Sequence, residues 1–384
     1  MKLLLALALA FPAHGATMND AFAFALHAKL PKDGNLFYSP YSLSSALAMA
    51  WAGAGGETAA EMAKVLGFTQ AAAEVHKDFQ GTNEAINAVG KAGVVKLSAA
   101  NSLWVEKTFA LKKAFTDLCA GAYGGSANGA DFKQAAGKAR LAINAWVEGK
   151  TAGRIKDLVP EGGVHALTRL VIANAVYFKG DWEDPFMNES TQPASFTKAD
   201  GAKVQAQFMN KTSWHRFAEL PDVQLLELAY KAESVSMLIV LPKKRDGLRD
   251  VEKRLNAAAL ARWTAALEGR KVQVALPKFK LEQTLSADKA LAELGMARAF
   301  DAAKADFSGM SEEKGVFIGA VLHKAFVAVD EKGTEAAAAT AVMMPGSAMM
   351  SDPPPVFRAD HPFLFLIRGP KGVLLFVGRL ADPA

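Results

Sequence analysis

Apolar residues recur along this chain at two different periods. Helical spacing marks residues 17–30, where Asn19 and Asp20 precede Phe22, Phe24 and Leu26. It marks a small-residue run after Ser39 and Pro40, from Ser42 to Trp51, and resumes over 58–66. A longer amphipathic helix is predicted over 136–155, with Leu141, Ile143, Trp146 and Val147 on its apolar side, and a short one over 286–294. Other segments read as strands: 96–105, 108–111, two runs within 223–241, and the alternating stretch 271–281. Residues 170–178 are almost continuously apolar, as befits a strand buried on both faces. Residues 325–329 form another extended run, and 363–367 and 373–378 form a late hairpin about the turn 369–372. Strands and helices intersperse without strict alternation, which predicts an α+β fold with several sheets.

Composition narrows the picture only moderately. The chain has 384 residues, 51% hydrophobic and 22% charged, enough for a large core and too apolar for disorder. No Gly/Ser/Pro-rich linker and no solenoid-like repeat divides it, so residues 16–384 read as a single domain. Residues 1–15 read as a signal peptide: Lys2, the apolar stretch from Leu3 to Phe11, then the small-residue end Ala13-His14-Gly15. That predicts a secreted or periplasmic protein. The formal charge of +5 is spread along the chain, which argues against a nucleic-acid stripe or a polybasic membrane patch. Cys119 is the one cysteine, so no intramolecular disulfide forms; its helical, apolar setting reads as a buried structural thiol.

Enzymatic chemistry finds no support. There is no G-x-S-x-G elbow, no H-E-x-x-H helix and no dinucleotide fingerprint. The glycines at 53, 55 and 56 join two helical patterns and lack the Lys-Ser/Thr of a phosphate loop, so they read as a turn. The seven histidines are isolated from one another, without metal-ligand spacing. No catalytic residue, no cofactor and no metal is expected.

The most informative segment is EKGTEAAAAT, residues 331–340. Taken alone it reads as a helix start capped by Thr334, since alanine favours helix. As a strand it places Thr334, Ala336, Ala338 and Thr340 on one face, all small enough to slide between existing strands. The segment resembles the proximal hinge of an inhibitory serpin. The resemblance extends in order through NLFYSPYS (35–42), INAWVEGKT with GRI (143–155), NAVYFKGDW (174–182), LPKF (276–279), LGM (294–296), ADFSG (305–309), His323-Lys324, DHPFLF (360–365) and LFVGR (375–379). Each motif is weak alone; the ordered series is strong.

The resemblance implies a serpin fold of three β-sheets with about nine helices and a mobile reactive-centre loop over roughly residues 331–360. It implies a hinge of Glu331, Gly333, Thr334, Glu335, Ala336, Ala337, Ala338, Ala339 and Thr340. Ser39, Ser42, Asn174 and His323 match the shutter beneath the main sheet, and Trp182, Lys278 and Glu331 match the breach at its top. Family spacing puts the reactive bond at Ser347-Ala348, with Met344, Met349 and Met350 as rivals, because the segment to Pro362 is long and contains Pro353, Pro354 and Pro355. The implied function is suicide inhibition of serine proteases; the alternative is a non-inhibitory serpin-fold binding or carrier protein. With no basic residue at the bait, the partner expected is an elastase-, subtilisin- or chymotrypsin-like serine protease held covalently by a monomer, with no nucleic acid and no membrane.

Overall fold

The computed structural model describes residues 18–91, 95–232, 234–334 and 353–383. Within them, nine α-helices surround two hydrogen-bonded strand networks, an α+β architecture as expected.

The six-stranded sheet is ordered Phe279–Ser286, Ile318–Val329, Gly333–Thr334, Leu170–Asp181, Val95–Glu106 and Ser126–Ala130. Its middle is a parallel pair, Ile318–Val329 beside Leu170–Asp181, matched from Ile318↔Leu170 to Phe326↔Tyr177 with one register shift between Ile318 and Ala320. Alternation along these strands divides two cores. Leu170, Ile172, Val176 and Phe178 face the main core, whereas Val171, Ala173, Ala175 and Tyr177 join a second, smaller one. Helix Phe132–Lys150 covers that second core with Phe132, Ala139, Ile143 and Val147. This explains why 170–178 is apolar on both faces.

The nine-stranded network turns at one long strand, Lys203–Glu219. Its first part pairs with Gln192–Thr197 and Glu268–Pro277, the latter joined by Val356–Arg358. Its end, from Arg216, pairs with Val223–Ala229 and leads through Ser236–Pro242, Phe363–Arg368 and Leu374–Leu380 to Leu36–Tyr38. Two of the three expected sheets therefore share a strand. Glu268–Pro277 and Phe279–Ser286 belong to different networks, so the alternating stretch 271–281 divides at Pro277 and leaves Lys278 at the junction.

Helix Pro40–Ala52 is capped by Ser39, whose hydroxyl oxygen accepts from the Ser42 amide at 3.1 Å. It is buried over most of its length, which its small residues permit. The glycines at 53, 55 and 56 form the predicted turn: a Cβ at Gly53 would strike Met310, and one at Gly309 would strike Gly53 itself.

Several local expectations fail. The helix predicted to reach residue 155 ends at Lys150, and Leu141 points outward, 58% exposed. Residues 108–111 form a turn with one bridge, Leu111 to Ser311, and helix Ala72–Lys91 was not foreseen. Only Asp288–Leu291 of the segment 286–294 is α-helical, because a wider π turn follows at Ala292–Met296.

Candidate functional site

Two polar clusters lie along the parallel pair Ile318–Val329 and Leu170–Asp181 of the six-stranded sheet. The lower one is built by register. Asn101, Asn174 and His323 are direct partners across three neighbouring strands, and alternation turns all three toward helix Pro40–Ala52. His323 Nε2 accepts from the Ser39 amide at 3.0 Å, so Nδ1 carries the proton and donates to Asn174 Oδ1. Asn174 Nδ2 donates to Ser42 Oγ at 2.6 Å, to the Ser42 carbonyl at 3.2 Å, and to Asn101 Oδ1. Asn101 Nδ2 in turn reaches Ser45 Oγ at 3.3 Å. All of these side chains are buried, and burial pushes the His323 pKa down to about 3. The imidazole is neutral, and its proton placement is fixed by what it accepts.

The four residues matched by motif, Ser39, Ser42, Asn174 and His323, thus meet at one place. Asn101 and Ser45 complete the cluster but were missed. An asparagine in an alternating strand resembles one on a solvated face; its register with Asn174 is visible only once the strands are paired.

The upper cluster surrounds the point where the chain turns back from Val329. Glu331 accepts from Lys278 Nζ at 2.8 and 3.1 Å and from Thr191 Oγ1 at 2.7 Å. Burial would raise the Glu331 pKa, but these hydrogen bonds outweigh it and hold the carboxyl below its usual range. Trp182 donates from its indole to the Asp330 carbonyl at 3.0 Å, and its amide donates to Lys332 at 2.8 Å. The Phe186 amide binds the Glu331 carbonyl at 2.7 Å. Trp182, Lys278 and Glu331 are therefore assembled together.

Gly333 and Thr334 lie between the tops of Leu170–Asp181 and Ile318–Val329. Gly333 pairs with Asp181, and Thr334 pairs with Gly180 on one side and Val329 on the other. Any Cβ at Gly333 would fall on the Gly180 carbonyl, so only glycine permits this approach. Thr334 is fully buried, and its hydroxyl pairs with Tyr230 Oη at 2.8 Å. The Tyr230 ring stacks on Trp182 with centroids 4.5 Å apart and occupies the space that a side chain at Gly180 would need. Tyr230 and Thr191 were not identified from sequence, since their partners lie more than a hundred residues away. The remaining hinge residues, Glu335, Ala336, Ala337, Ala338, Ala339 and Thr340, lie outside the described residues. So do Ser347, Ala348, Met344, Met349 and Met350.

Among the described residues no group of His, Cys, Asp and Glu is arranged to hold a metal, and no helix is long and apolar enough to cross a membrane. Cys119 is buried in helix Lys113–Tyr123, and burial raises its thiol pKa to about 12.

Comparison with known proteins agrees with this geometry. The family model described as "Serpin (serine protease inhibitor)" matches residues 17–383. Leukocyte elastase inhibitor of Homo sapiens is 40% identical over 380 residues, covering 96% of this chain and 99% of that protein. Serpin B6 of Macaca fascicularis is 41% identical over 378 residues, with the same coverage. The solved structure of uncleaved ovalbumin superposes with a TM-score of 0.87 at 30% identity, covering 95% of this chain and 99% of that one. These relatives correct one expectation. Leukocyte elastase inhibitor and serpin B6 are intracellular serpins that lack signal peptides, so the secreted or periplasmic location read from residues 1–15 does not stand. Leukocyte elastase inhibitor is a protease inhibitor rather than an enzyme, as is the family by its description. With its family match over nearly the whole chain and its relatives matched end to end, the chain belongs to the serpin family.

Proposed function

We propose that this serpin is a suicide inhibitor of serine proteases that traps the acyl-enzyme by inserting its cleaved loop into the six-stranded sheet. The observation that carries the reading is Gly333–Thr334, seated between the two strands that must part. A target protease attacks the loop as a substrate and forms an ester through its own nucleophile. Cleavage frees the hinge, which extends from Thr334 as a new strand between Leu170–Asp181 and Ile318–Val329. Strand addition of this kind, of which serpin loop insertion is a recognised instance, draws on main-chain hydrogen bonding. About a dozen residues, each contributing about 1 kcal/mol net, supply on the order of ten kcal/mol to drag the tethered protease and distort its active site.

Thr334 faces the main core through its contact with Tyr230, so strict alternation carries Ala336, Ala338 and Thr340 to the same side. None of them obstructs the slide. The lower cluster is the shutter in this reading: parting the strands breaks the His323–Asn174 bond, and Ser39, Ser42, Asn101 and Ser45 offer exchange partners. Lys278, Glu331 and Trp182 form the breach where entry begins. Residues 16–384 act as one domain and as a monomer. The reactive bond is assigned to Ser347-Ala348, with Met344, Met349 and Met350 as rivals, and the target to an elastase-, subtilisin- or chymotrypsin-like protease. A panel of such proteases tests this: an SDS-stable adduct releasing a C-terminal fragment that begins at Ala348 is expected. Complete turnover without adduct would favour the non-inhibitory carrier alternative.

A further inference from the structure

Four large apolar side chains stand out on the surface of the described residues, and two of them share one face. Trp214 is 71% exposed in strand Lys203–Glu219, and Val356 is 51% exposed in Val356–Arg358. Scattered single exposures are ordinary; the pairing of these two with the loop is not.

Register brings them together. Trp214 is directly opposite Lys271 and Thr212 opposite Gln273, while Gln273 also pairs with Val356 in the next strand. Trp214, Thr212, Lys271, Gln273 and Val356 are exposed, whereas His215, Val272 and Val274 are buried on the opposite face. Two strand spacings and two residues of rise place Trp214 about 12 Å from Val356.

Val356–Arg358 runs parallel to Glu268–Pro277, so the residues preceding Val356 pass back toward Lys271. The Pro355 carbonyl accepts from the Gln273 amide at 2.9 Å, and Pro353 is exposed beyond it. The bait-bearing segment therefore meets the sheet at the level of the Lys271–Trp214 pair. Any protease gripping that segment is brought over this face. The charge there is basic: Lys271, exposed and directly opposite Trp214, has no ion pair among the described residues.

We propose that Trp214, with Lys271 and Val356 beside it, is a docking ledge for the target serine protease, contacting an apolar spot flanked by a carboxylate on the protease rim. The inference rests on the inhibitory reading and adds a recognition surface outside the loop. Tryptophan is among the residues that dominate interface energetics, and a rim charge acts mainly on the association rate and its salt dependence.

The probe is leukocyte elastase with its nucleophilic serine replaced by alanine, which binds without acylation. Trp214→Ala is expected to weaken binding about tenfold. Lys271→Glu is expected to weaken it about threefold, with a flatter salt dependence. Far-ultraviolet circular dichroism checks that both variants fold. With active elastase the association rate falls in parallel, while the fraction of inhibitor ending as adduct stays unchanged, since neither residue lies in the inserting sheet. Equal affinity of Trp214→Ala and the unsubstituted chain overturns the ledge, as does failure of the unsubstituted chain to bind the inactive protease. A free dimer abolished by Trp214→Ala also overturns it, by assigning the face to a second copy. Tenfold weaker binding with no adduct from active elastase supports the ledge and refutes the suicide mechanism, so the two readings separate.

Discussion

Acidification should weaken the sheet at His323. The imidazole is fully buried and neutral, its pKa lowered from 6.5 to about 3 by desolvation, and its Nε2 accepts from Ser39. In the unfolded chain the same group takes a proton below about pH 6.5. Between the two values the unfolded state binds more protons, so this contribution is fully present above pH 6.5 and is lost as pH falls. At about 1.4 kcal/mol per pH unit, the loss between pH 6.5 and pH 5 is about 2 kcal/mol. Protonation would also turn Nε2 from acceptor to donor and strand the Ser39 amide. His323→Gln supplies a carbonyl and an amide N–H in similar positions without titrating. Urea unfolding of both proteins at pH 7.5, 6.5 and 5 isolates the effect, because the other titrating groups, including the buried His215, cancel in the difference. The unsubstituted protein should lose about 2 kcal/mol more than His323→Gln over the lower interval. Parallel pH dependences would refute a neutral His323 as the keystone of the cluster.

Three further outcomes are expected. Tyr230→Phe keeps the stack on Trp182 but removes the bond to Thr334; it should cost about 1 kcal/mol in thermal or urea unfolding and hasten proteolysis around residues 330–335. Lys278→Ala should cost less than about 1 kcal/mol, because the lysine is 39% exposed, and most of the effect should disappear in high salt. Cys119 should resist iodoacetamide at pH 8 in the native protein and react on unfolding, since only the thiolate is nucleophilic; rapid native labelling would contradict its burial.

Much of this arrangement is legible in the chain because it is local. The apolar run 170–178 announces a strand covered on both sides, and the small residues of Pro40–Ala52 announce a helix under a sheet. Glu331, Lys278 and Trp182 are recognisable because they sit in ordered motifs. Tyr230 is not: one tyrosine in a strand-rich region says nothing of a threonine 104 residues away, and only the stacked sheets bring them together. Asn101 hides for the same reason, its role being set by cross-strand register rather than by neighbours in sequence. Leu141 misleads because periodicity identifies a helix more reliably than it identifies which apolar residue reaches the core. The pairing of Gly333 and Thr334 with the neighbouring strands is thus visible in the geometry, and insertion from that point is the proposed reading.

In the proposed mechanism, insertion propagates inward from Thr334. The most direct measurement compares the unsubstituted chain with Thr334→Arg against active leukocyte elastase, quantifying SDS-stable adduct and cleaved free inhibitor. Abundant adduct is expected for the unsubstituted chain, and cleavage with almost no adduct for Thr334→Arg, since a guanidinium cannot occupy the buried site beside Tyr230. Equal adduct from both proteins would show that the inhibitor traps its protease by some route other than insertion of this hinge.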